Sequence, residues 1–529
     1  MATGRSADPA AWLAAEPDAD IRDELAALIA GDPDELARRF AEPLRFGTAG
    51  LRAAVGAGRN RMNRLVVRAA AAGFADYLLA NVPDAARHGV AIGYDARRKS
   101  DVFADDSARV MAARGITVWM FSTMVPTPLL AHAVAELGAA GGVMVTASHN
   151  PPTDNGYKVY LAGGAQIAPP DDLAIAVAID GLDPTTIELA DEGSPLIATM
   201  PAEVTESYLR RVSSIRHRRD LAPVPVAYTA LHGVGGTTVR DVFSRAGLGP
   251  LHVVDDQFGP DGSFPTVSFP NPEEPGAMDA VVACAQQHEC TMALANDPDA
   301  DRLGVAVIDR DGTWRRLAGD EIGWLLADHI LRHTVGDDRL VVTTVVSSGL
   351  LGRMAAAYGV HHVETLTGFK WIARAIADRG DLRPVFAYEQ ALGYLIAPAP
   401  PDKDGVSAAV MMAEIAALAA AEGVTIIDRL DDIAARFGHH HLDERSVAST
   451  AGAEVVQALA ADPPSTLGGR AVRSVEFLAD AALLRIILDG DVRVQVRPSG
   501  TEPKVKVYAE GVDADPSPAA EEIVRRLEA

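Results

Sequence analysis

The chain has 529 residues, 48% hydrophobic and 23% charged, and a formal net charge of −24. That length corresponds to about three to four domains of ordinary globular composition, and the negative charge argues against nucleic-acid partners and demands a local basic pocket for any anionic substrate. No unbroken apolar run approaches ~18 residues. The first thirty residues are acidic without a signal-peptide core, and Cys284 and Cys290 are the only cysteines. The expectation is a cytoplasmic protein, monomer or homodimer, with no disulfide framework and no membrane partner.

Residues 1–45 have helical spacing, with Leu25, Leu28, Ile29 and Leu36 on one apolar face. Phe46-Gly47-Thr48-Ala49-Gly50-Leu51-Arg52 follows; its glycines allow close backbone approach to an anion beside Arg52, or simply a surface turn. A helix is predicted over 64–82, a strand over 88–94, a loop over 95–100 and a second αβ unit to Phe121. Val125-Pro126-Thr127-Pro128 then turns into a helix. The next strand, Val143-Met144-Val145, stops at Thr146-Ala147-Ser148-His149-Asn150-Pro151-Pro152, because proline cannot continue a ladder. This puts Ser148 and His149 on a loop at the carboxyl end of a strand, where open α/β sheets place their chemistry, with Lys158 ten residues on. Both an ordinary turn and a reactive serine fit. The Gly-x-Ser-x-Gly spacing of a hydrolase elbow is missing. Residues 169–201, rich in Asp, Pro and Gly, read as the end of a first domain plus a linker.

The next unit opens at Val224 to Tyr228, and Leu231-His232-Gly233-Val234-Gly235-Gly236, a glycine loop of the kind that can hold phosphate before a helix, reads better as a tight strand-to-helix turn. A proline-rich loop covers 264–275. Then Ala293-Leu294-Ala295-Asn296-Asp297-Pro298-Asp299-Ala300-Asp301-Arg302 ends a short strand in three alternate aspartates. Such carboxylates can converge on one hard cation, or form a solvated acidic turn. An EF-hand needs Gly and Glu where this chain has Arg302 and Ile308. A third unit, about 313–430, holds a strand at 340–346, the loop Thr365-Leu366-Thr367-Gly368-Phe369-Lys370, the segment Glu389-Gln390-Ala391-Leu392-Gly393-Tyr394 and an Ala-rich core helix at 406–422. Alternating strands and helices imply parallel sheets. The last unit differs: strands at 471–477, 483–488 and 492–496 with short connections imply an antiparallel sheet with flanking helices. Gln495-Val496-Arg497-Pro498-Ser499-Gly500-Thr501-Glu502-Pro503-Lys504 makes either a hairpin turn or a phosphate cup of backbone N–H groups, hydroxyls and two cations. Only six of the 48 basic residues are lysine, yet Lys158, Lys370 and Lys504 fall inside these motifs.

Taken in order, the segments around Ser148, Asp297–Asp301, Thr367–Lys370 and Arg497–Lys504 resemble the active-site loops of the α-D-phosphohexomutase superfamily (phosphoglucomutase/phosphomannomutase). The similarity spans about residues 46–510. It implies three consecutive similar α/β domains with mixed, mostly parallel sheets plus a C-terminal α+β domain, around a central cleft. The expected boundaries are 1–202 (with the N-terminal extension and serine loop), 203–312 (metal loop), 313–435 (sugar loop) and 436–529 (phosphate loop). It implies a phosphosugar mutase that carries phosphate on Ser148 and passes through a sugar bisphosphate, with Mg²⁺ on Ser148, Asp297, Asp299 and Asp301 and glucose 1,6-bisphosphate as activator. In that resemblance Ser148, His149, Lys158 and Arg52 are catalytic, with Lys158 as general base through a desolvation-lowered pKa. Arg302, Thr367, Gly368, Lys370, Glu389, Arg497, Ser499, Gly500, Thr501 and Lys504 bind substrate. The family's usual Glu-x-Ser-Gly-His is altered here: Ala391 replaces the serine, one residue is added, and Tyr394 stands near the histidine position. That is closer to the branch containing phosphopentomutase and glucose-1,6-bisphosphate synthase, so the sugar stays open. A metal-dependent phosphatase and an inactive phosphosugar binder are the competing functions.

Overall fold

The computed structural model describes residues 8–47, 50–449, 451–499 and 504–528. Its first sheet follows from short apolar segments that each end in a turn. β1 (Leu51–Ala54), β2 (Val90–Tyr94), β3 (Val118–Met120), β4 (Gly141–Val145), β5 (Asp154–Leu161) and β6 (Ile197–Thr199) lie in the order β1-β5-β4-β2-β3-β6. β4, β2, β3 and β6 run parallel, and β5 is antiparallel to both β4 and β1. All residues of β2 and β4 are buried, which is why they read as continuous apolar runs and not as alternating ones. The helices Arg64–Asn81 and Ser100–Ala113 close the core over this sheet through Phe74, Leu78, Phe103 and Met111.

Two expectations change here. Residues 169–201 are no plain linker: they form the helix Asp171–Asp180 and β6, which adds an edge strand beside β3. β6 has only three residues and partial burial, too little apolar periodicity to be seen in sequence. The N-terminal region is helical as expected (Pro9–Ala15, Ala19–Gly31, Pro33–Ala41), and Leu25 is buried with Trp12 and Phe40, but Ile29 points to solvent at 41% exposure.

The second sheet comprises β7 (Val226–Thr229), β8 (Leu251–Val253), β9 (Met292–Asn296), β10 (Leu303–Ile308) and β11 (Trp314–Arg316), ordered β11-β10-β9-β7-β8. Its β9, β7 and β8 are parallel, and the β9–β10 and β10–β11 pairs antiparallel. Leu231 and His232 take positive φ at the turn before the helix Gly235–Ala246. The close approach of Gly233 leaves no room for a Cβ, which would lie 2.4 Å from Pro298.

The chain forms two compact units: residues 1–317 with 392–422, and residues 318–391 with 423–529. The first unit is completed by the helix Gly405–Glu422. That helix has 18 residues and is long and apolar enough to cross a membrane, a feature hidden in the sequence because Glu414 interrupts the apolar run. It is 78% buried inside the protein, and Glu414 pairs there with Arg216 at 3.1 Å, so its apolarity belongs to the core.

In the second unit the strand Arg339–Thr344 lies parallel to both His361–Thr365 and Arg383–Glu389. The last sheet is antiparallel throughout, ordered His440–Ala448, Lys504–Val512, Val492–Pro498, Leu483–Leu488, Arg470–Leu478, Thr466–Leu467. It docks on the turn after Arg339–Thr344 through a buried polar cluster. Glu510 accepts from Ser348 Oγ, from the Gly349 N–H at 3.1 Å and from Arg493 Nη2 at 2.7 Å, and His440 Nδ1 lies 2.7 Å away. Gln495 Nε2 donates to the Val345 carbonyl at 2.8 Å, while Asp320 accepts from the Ser348 N–H at 2.8 Å and the Tyr388 hydroxyl at 2.7 Å. Burial pushes Glu510 upward, but His440, Arg493 and Ser348 outweigh it and hold the carboxyl down to about 2. At Asp320 burial outweighs the Ser348 N–H, the Tyr388 hydroxyl and the nearby Arg493, and pushes the carboxyl up to about 7.

Candidate active site

β4 delivers the chain to Thr146, whose Oγ1 accepts the Ser148 N–H at 2.9 Å. Ser148 itself has φ 51, in the left-handed region where a side chain is disfavoured. Its buried hydroxyl donates to Asp297 Oδ2 at 2.7 Å and lies 3.2 Å from His149 Nδ1. The Asp297 turn begins where β9 ends. Ala300 takes φ 56 and its N–H donates to the Asp297 carbonyl at 2.9 Å, a tight turn that points Asp297, Asp299 and Asp301 to one side. All three are buried, and one oxygen from each lies within 4.8 Å of the others.

Lys158 reaches this cluster because β5 pairs with β4 in register Met144↔Lys158. Its Nζ donates to Asp299 Oδ2 at 2.6 Å and Asp301 Oδ2 at 2.8 Å. The Thr127 hydroxyl donates to Asp299 Oδ2 at 2.6 Å, the Arg302 N–H to Asp297 Oδ1 at 3.0 Å, and Lys403 Nζ stands 3.3 Å from Asp301. Arg52, on β1, donates to Asn150 Oδ1 at 2.9 Å on the serine loop, and Arg302 Nη1 lies 3.6 Å from Glu273. Ser148, His149, Lys158, Arg52, Asp297, Asp299, Asp301 and Arg302 therefore share one neighbourhood of the first unit. Thr127 and Lys403 join them. Neither was singled out from sequence, Lys403 because its segment returns to the first unit only after the excursion into the second.

The charges explain one another. Burial first, then the neighbouring Asp299 and Asp301, raises Asp297 well above the usual carboxylate range. Asp301 resists burial and stays below that range because Lys158, Lys403 and Arg302 face it. Burial together with Arg302 and Arg52 keeps the His149 imidazole well below its ordinary value, hence neutral. Burial likewise lowers Lys158, but Asp299 and Asp301 more than compensate and its pKa is raised. A lysine tuned toward neutrality, the sequence-based ground for Lys158 as general base, is not what this arrangement makes.

The cluster fits a hard divalent cation. Asp299 Oδ1 and Asp301 Oδ1 are buried and accept no hydrogen bond, three carboxylates exceed the charge that Lys158 neutralises alone, and an all-oxygen donor set suits ions of the Mg²⁺ or Ca²⁺ type.

The remaining candidates lie in the second unit. Gly368, with φ 111, precedes the helix Phe369–Asp378, placing Thr367 and Lys370 at the carboxyl end of His361–Thr365. Glu389 ends the parallel neighbour strand Arg383–Glu389 and is buried. Both are strand ends of the kind where α/β sheets bind ligands. Arg497 and Lys504 flank the tip of the last hairpin, and the Ser499 N–H donates to the Lys504 carbonyl at 2.8 Å. Gly500 and Thr501 lie outside the described residues.

Comparison with known proteins finds all four family models of the phosphoglucomutase/phosphomannomutase family in this chain. Domain I (alpha/beta/alpha) matches residues 43–185, domain II 206–312, domain III 318–437 and the C-terminal domain 451–526. The chain is 38% identical over 471 residues to a protein of Haemophilus influenzae named "Probable phosphomannomutase", covering 87% of this chain and 94% of that one. It is 37% identical over 459 residues to the phosphopentomutase of Homo sapiens, covering 82% and 75%. Among solved structures, a phosphoglucomutase/phosphomannomutase family protein of Burkholderia thailandensis superposes with a TM-score of 0.72 at 22% identity over 91% of this chain and 96% of that one, a likeness of fold.

Proposed function

The chain belongs to the phosphoglucomutase/phosphomannomutase family, and we propose that it is a phosphosugar mutase that carries a phosphoryl group on Ser148. The observation that carries this reading is the buried Ser148 hydroxyl, 2.7 Å from an aspartate cluster already faced by Lys158 and Lys403. Phosphoryl transfer needs positioning and charge stabilisation above all. In the forward half-reaction the phosphoryl group passes from Ser148 Oγ to a free sugar hydroxyl, giving a sugar bisphosphate. In the return half the Oγ–P bond re-forms with the sugar's original phosphate and that sugar oxygen regains a proton. Neutral His149, 3.2 Å from Oγ, relays one proton between Oγ and the sugar oxygen: the proton that leaves the sugar hydroxyl in the forward half ends on Ser148 Oγ, and the serine proton released in the return half ends on the sugar oxygen. Lys158 and Arg52 hold the aspartates and the serine loop in place. Asp297, Asp299 and Asp301, with a phosphate oxygen on Ser148, would hold Mg²⁺, which would supply positive charge against the transferring group.

The proposal assigns Arg497, Ser499, Gly500, Thr501 and Lys504 to the phosphate not being transferred, and Arg302, Thr367, Gly368, Lys370 and Glu389 to the rest of the substrate. Glucose 1,6-bisphosphate or an equivalent primes the serine. The four-domain division 1–202, 203–312, 313–435 and 436–529 and a cytoplasmic monomer or homodimer complete the reading. The test is incorporation of ³²P from labelled glucose 1,6-bisphosphate: the wild type takes up label on Ser148 and Ser148→Ala does not. Full mutase turnover by Ser148→Ala would sink the proposal. A phosphatase would instead release inorganic phosphate stoichiometrically and gain nothing from the bisphosphate.

A pentose substrate is favoured by one observation, the altered loop Glu389-Gln390-Ala391-Leu392-Gly393-Tyr394. A site built around a hydroxyl can reject an analogue lacking it by ~10⁴–10⁵. Comparing kcat/KM for glucose 1-phosphate and ribose 1-phosphate on one preparation decides: preference for ribose assigns a phosphopentomutase, and preference for glucose keeps the hexose.

A further inference from the structure

The loop that carries Ser148 has a difficulty built into it. Pro151 and Pro152 have no N–H to donate, Ser148 sits at φ 51, and within the loop the Pro151 carbonyl takes the Asp154 N–H at 3.0 Å. One side chain answers this. Arg97, three residues past the end of β2, is buried to 3% exposure. Its Nη2 donates to the carbonyls of Ser148 and Asn150, both at 2.5 Å, and its Nη1 to those of Pro151 at 2.7 Å and Asp154 at 3.0 Å. Four carbonyls of one seven-residue stretch thus converge on a single guanidinium, one of them belonging to the serine itself.

Arg97 is in turn fixed from behind. Its N–H donates to Asp95 Oδ1 at 2.9 Å, its Nε lies 3.4 Å from Asp95 Oδ2, and the Ser100 hydroxyl ties the same carboxylate at 2.7 Å. The Phe264 ring covers the guanidinium at 4.9 Å. Gly262 admits this packing, since a Cβ there would lie 2.3 Å from the Ala96 carbonyl oxygen and 2.7 Å from Arg97 Cα. Only a planar fork can serve four acceptors spread along a loop; an ammonium has three donors on a point centre.

We propose that Arg97 is a positioning residue for the phosphoryl-carrying serine: by gripping the carbonyls of residues 148, 150, 151 and 154 it fixes the left-handed Ser148 backbone and so aims Oγ. The inference rests on the reading of Ser148 as phosphoryl carrier. Arg97 touches neither the reacting oxygen nor the aspartates through any of these bonds, so its removal misplaces the serine and leaves the second-unit contacts to substrate intact.

The experiment compares wild type, Arg97→Lys, Arg97→Ala and the control Arg98→Ala, whose side chain bonds Asp20 instead of the serine loop. Each is measured for melting temperature, for kcat and KM, and for the single-turnover rate of ³²P transfer from glucose 1,6-bisphosphate to Ser148. Misplacement of about 1 Å can cost ~10²-fold. Arg97→Lys should therefore lose about 10²-fold in kcat and in labelling rate, with KM unchanged within about twofold. Added guanidinium at non-denaturing concentration should restore part of the labelling rate to Arg97→Ala but none to Arg97→Lys, whose ammonium fills the socket, and Arg98→Ala should match wild type. Wild-type labelling by a folded Arg97→Lys, or equal losses in kcat and substrate affinity, overturns the inference. Where Arg97→Ala fails to fold, the kcat-against-KM split of Arg97→Lys decides. Failure of the wild type to label at all overturns the Ser148 reading first, and so separates the two.

Discussion

The aspartate cluster of the first unit and the Glu510 cluster of the second are made of the same materials and reach opposite electrostatic states. Both are buried, both sit where a parallel strand gives way to a turn, and both draw partners from distant segments. Around Glu510 the carboxylate is answered on every side, by His440, Arg493, Ser348 and the Gly349 N–H, and its pKa is held down to about 2 against burial. Around Asp297 three carboxylates crowd together, two of their oxygens accept nothing, and the pKa of Asp297 is driven up. Around Glu510 the buried atoms left over are nitrogens, Arg493 Nε and His440 Nε2, while around Asp297 they are carboxylate oxygens, and acceptors to spare hold a place for something positive. Polarity and burial alone do not tell structure from chemistry, whereas the balance of donors and acceptors does.

That contrast can be broken by substitution. The largest effect is expected at the unbalanced cluster. Asp299→Asn, or chelation of the wild type, should lower mutase turnover by more than ~10³-fold, the size of several kcal/mol of charge stabilisation. Added Mg²⁺ should raise the melting temperature of the wild type but not of Asp299→Asn; an equal rise in both would mean that the aspartates hold no ion. At the balanced cluster the loss should be of stability instead. Glu510→Gln strands Arg493 and His440 and should cost about 3–5 kcal/mol in urea unfolding, and a cost below about 1 kcal/mol would remove it from the class of satisfied buried pairs.

Asp320 sharpens the comparison because it lies beside Glu510, and there burial outweighs Arg493 and the hydrogen bonds. Its folded pKa is about 7, against ~3.9 in an unfolded chain. Between those values the folded protein binds more protons than the unfolded one, so stability is fully present below pH ~4 and is lost as pH rises through about 7. Glu510 has the reverse sign: its contribution is present above its unfolded pKa and is lost as pH falls toward about 2. Asp320→Asn should flatten the decline between pH ~4 and 7 as followed by melting temperature, and an unchanged slope would refute the assignment. The smallest effect belongs to the exposed pair Arg379–Asp381, 3.0 Å apart. Arg379→Ala should leave the melting temperature unchanged within about a degree, since surface pairs contribute little.

What could be read from sequence was what is local. Asp297, Asp299 and Asp301 lie within five residues, and the strand-then-proline punctuation around Ser148 is a short-range signal, so both loops could be located before any coordinates. The three parallel-sheet units announced themselves through buried strands such as β2 and β4. What escaped depends on long-range contact. Thr127 bonds Asp299 across 172 residues and Ser348 bonds Glu510 across 162, and neither carries a local mark. Arg97 sat in plain view in a loop whose sequence shows two arginines in a row. Only the fold tells that Arg97 turns inward while Arg98 faces solvent. The strands His440–Ala448 and Lys504–Val512 were missed because the first alternates charges with few apolar residues and shows its partner only once the sheet is assembled.

The return of residues 392–422 to the first unit has a consequence for how the protein is made. A nascent chain that has been translated through Leu317 already contains Ser148 and all three aspartates. It lacks Lys403, which faces Asp301, Asp404, which takes the Tyr208 hydroxyl at 3.1 Å, and the helix whose Glu414 seats Arg216. The ribosome must add 318–422 first, about 5–20 s at ordinary elongation rates. During that interval the aspartates are without Lys403, and the order of synthesis gives a metal ion the chance to reach them before the full set of the protein's own charges does.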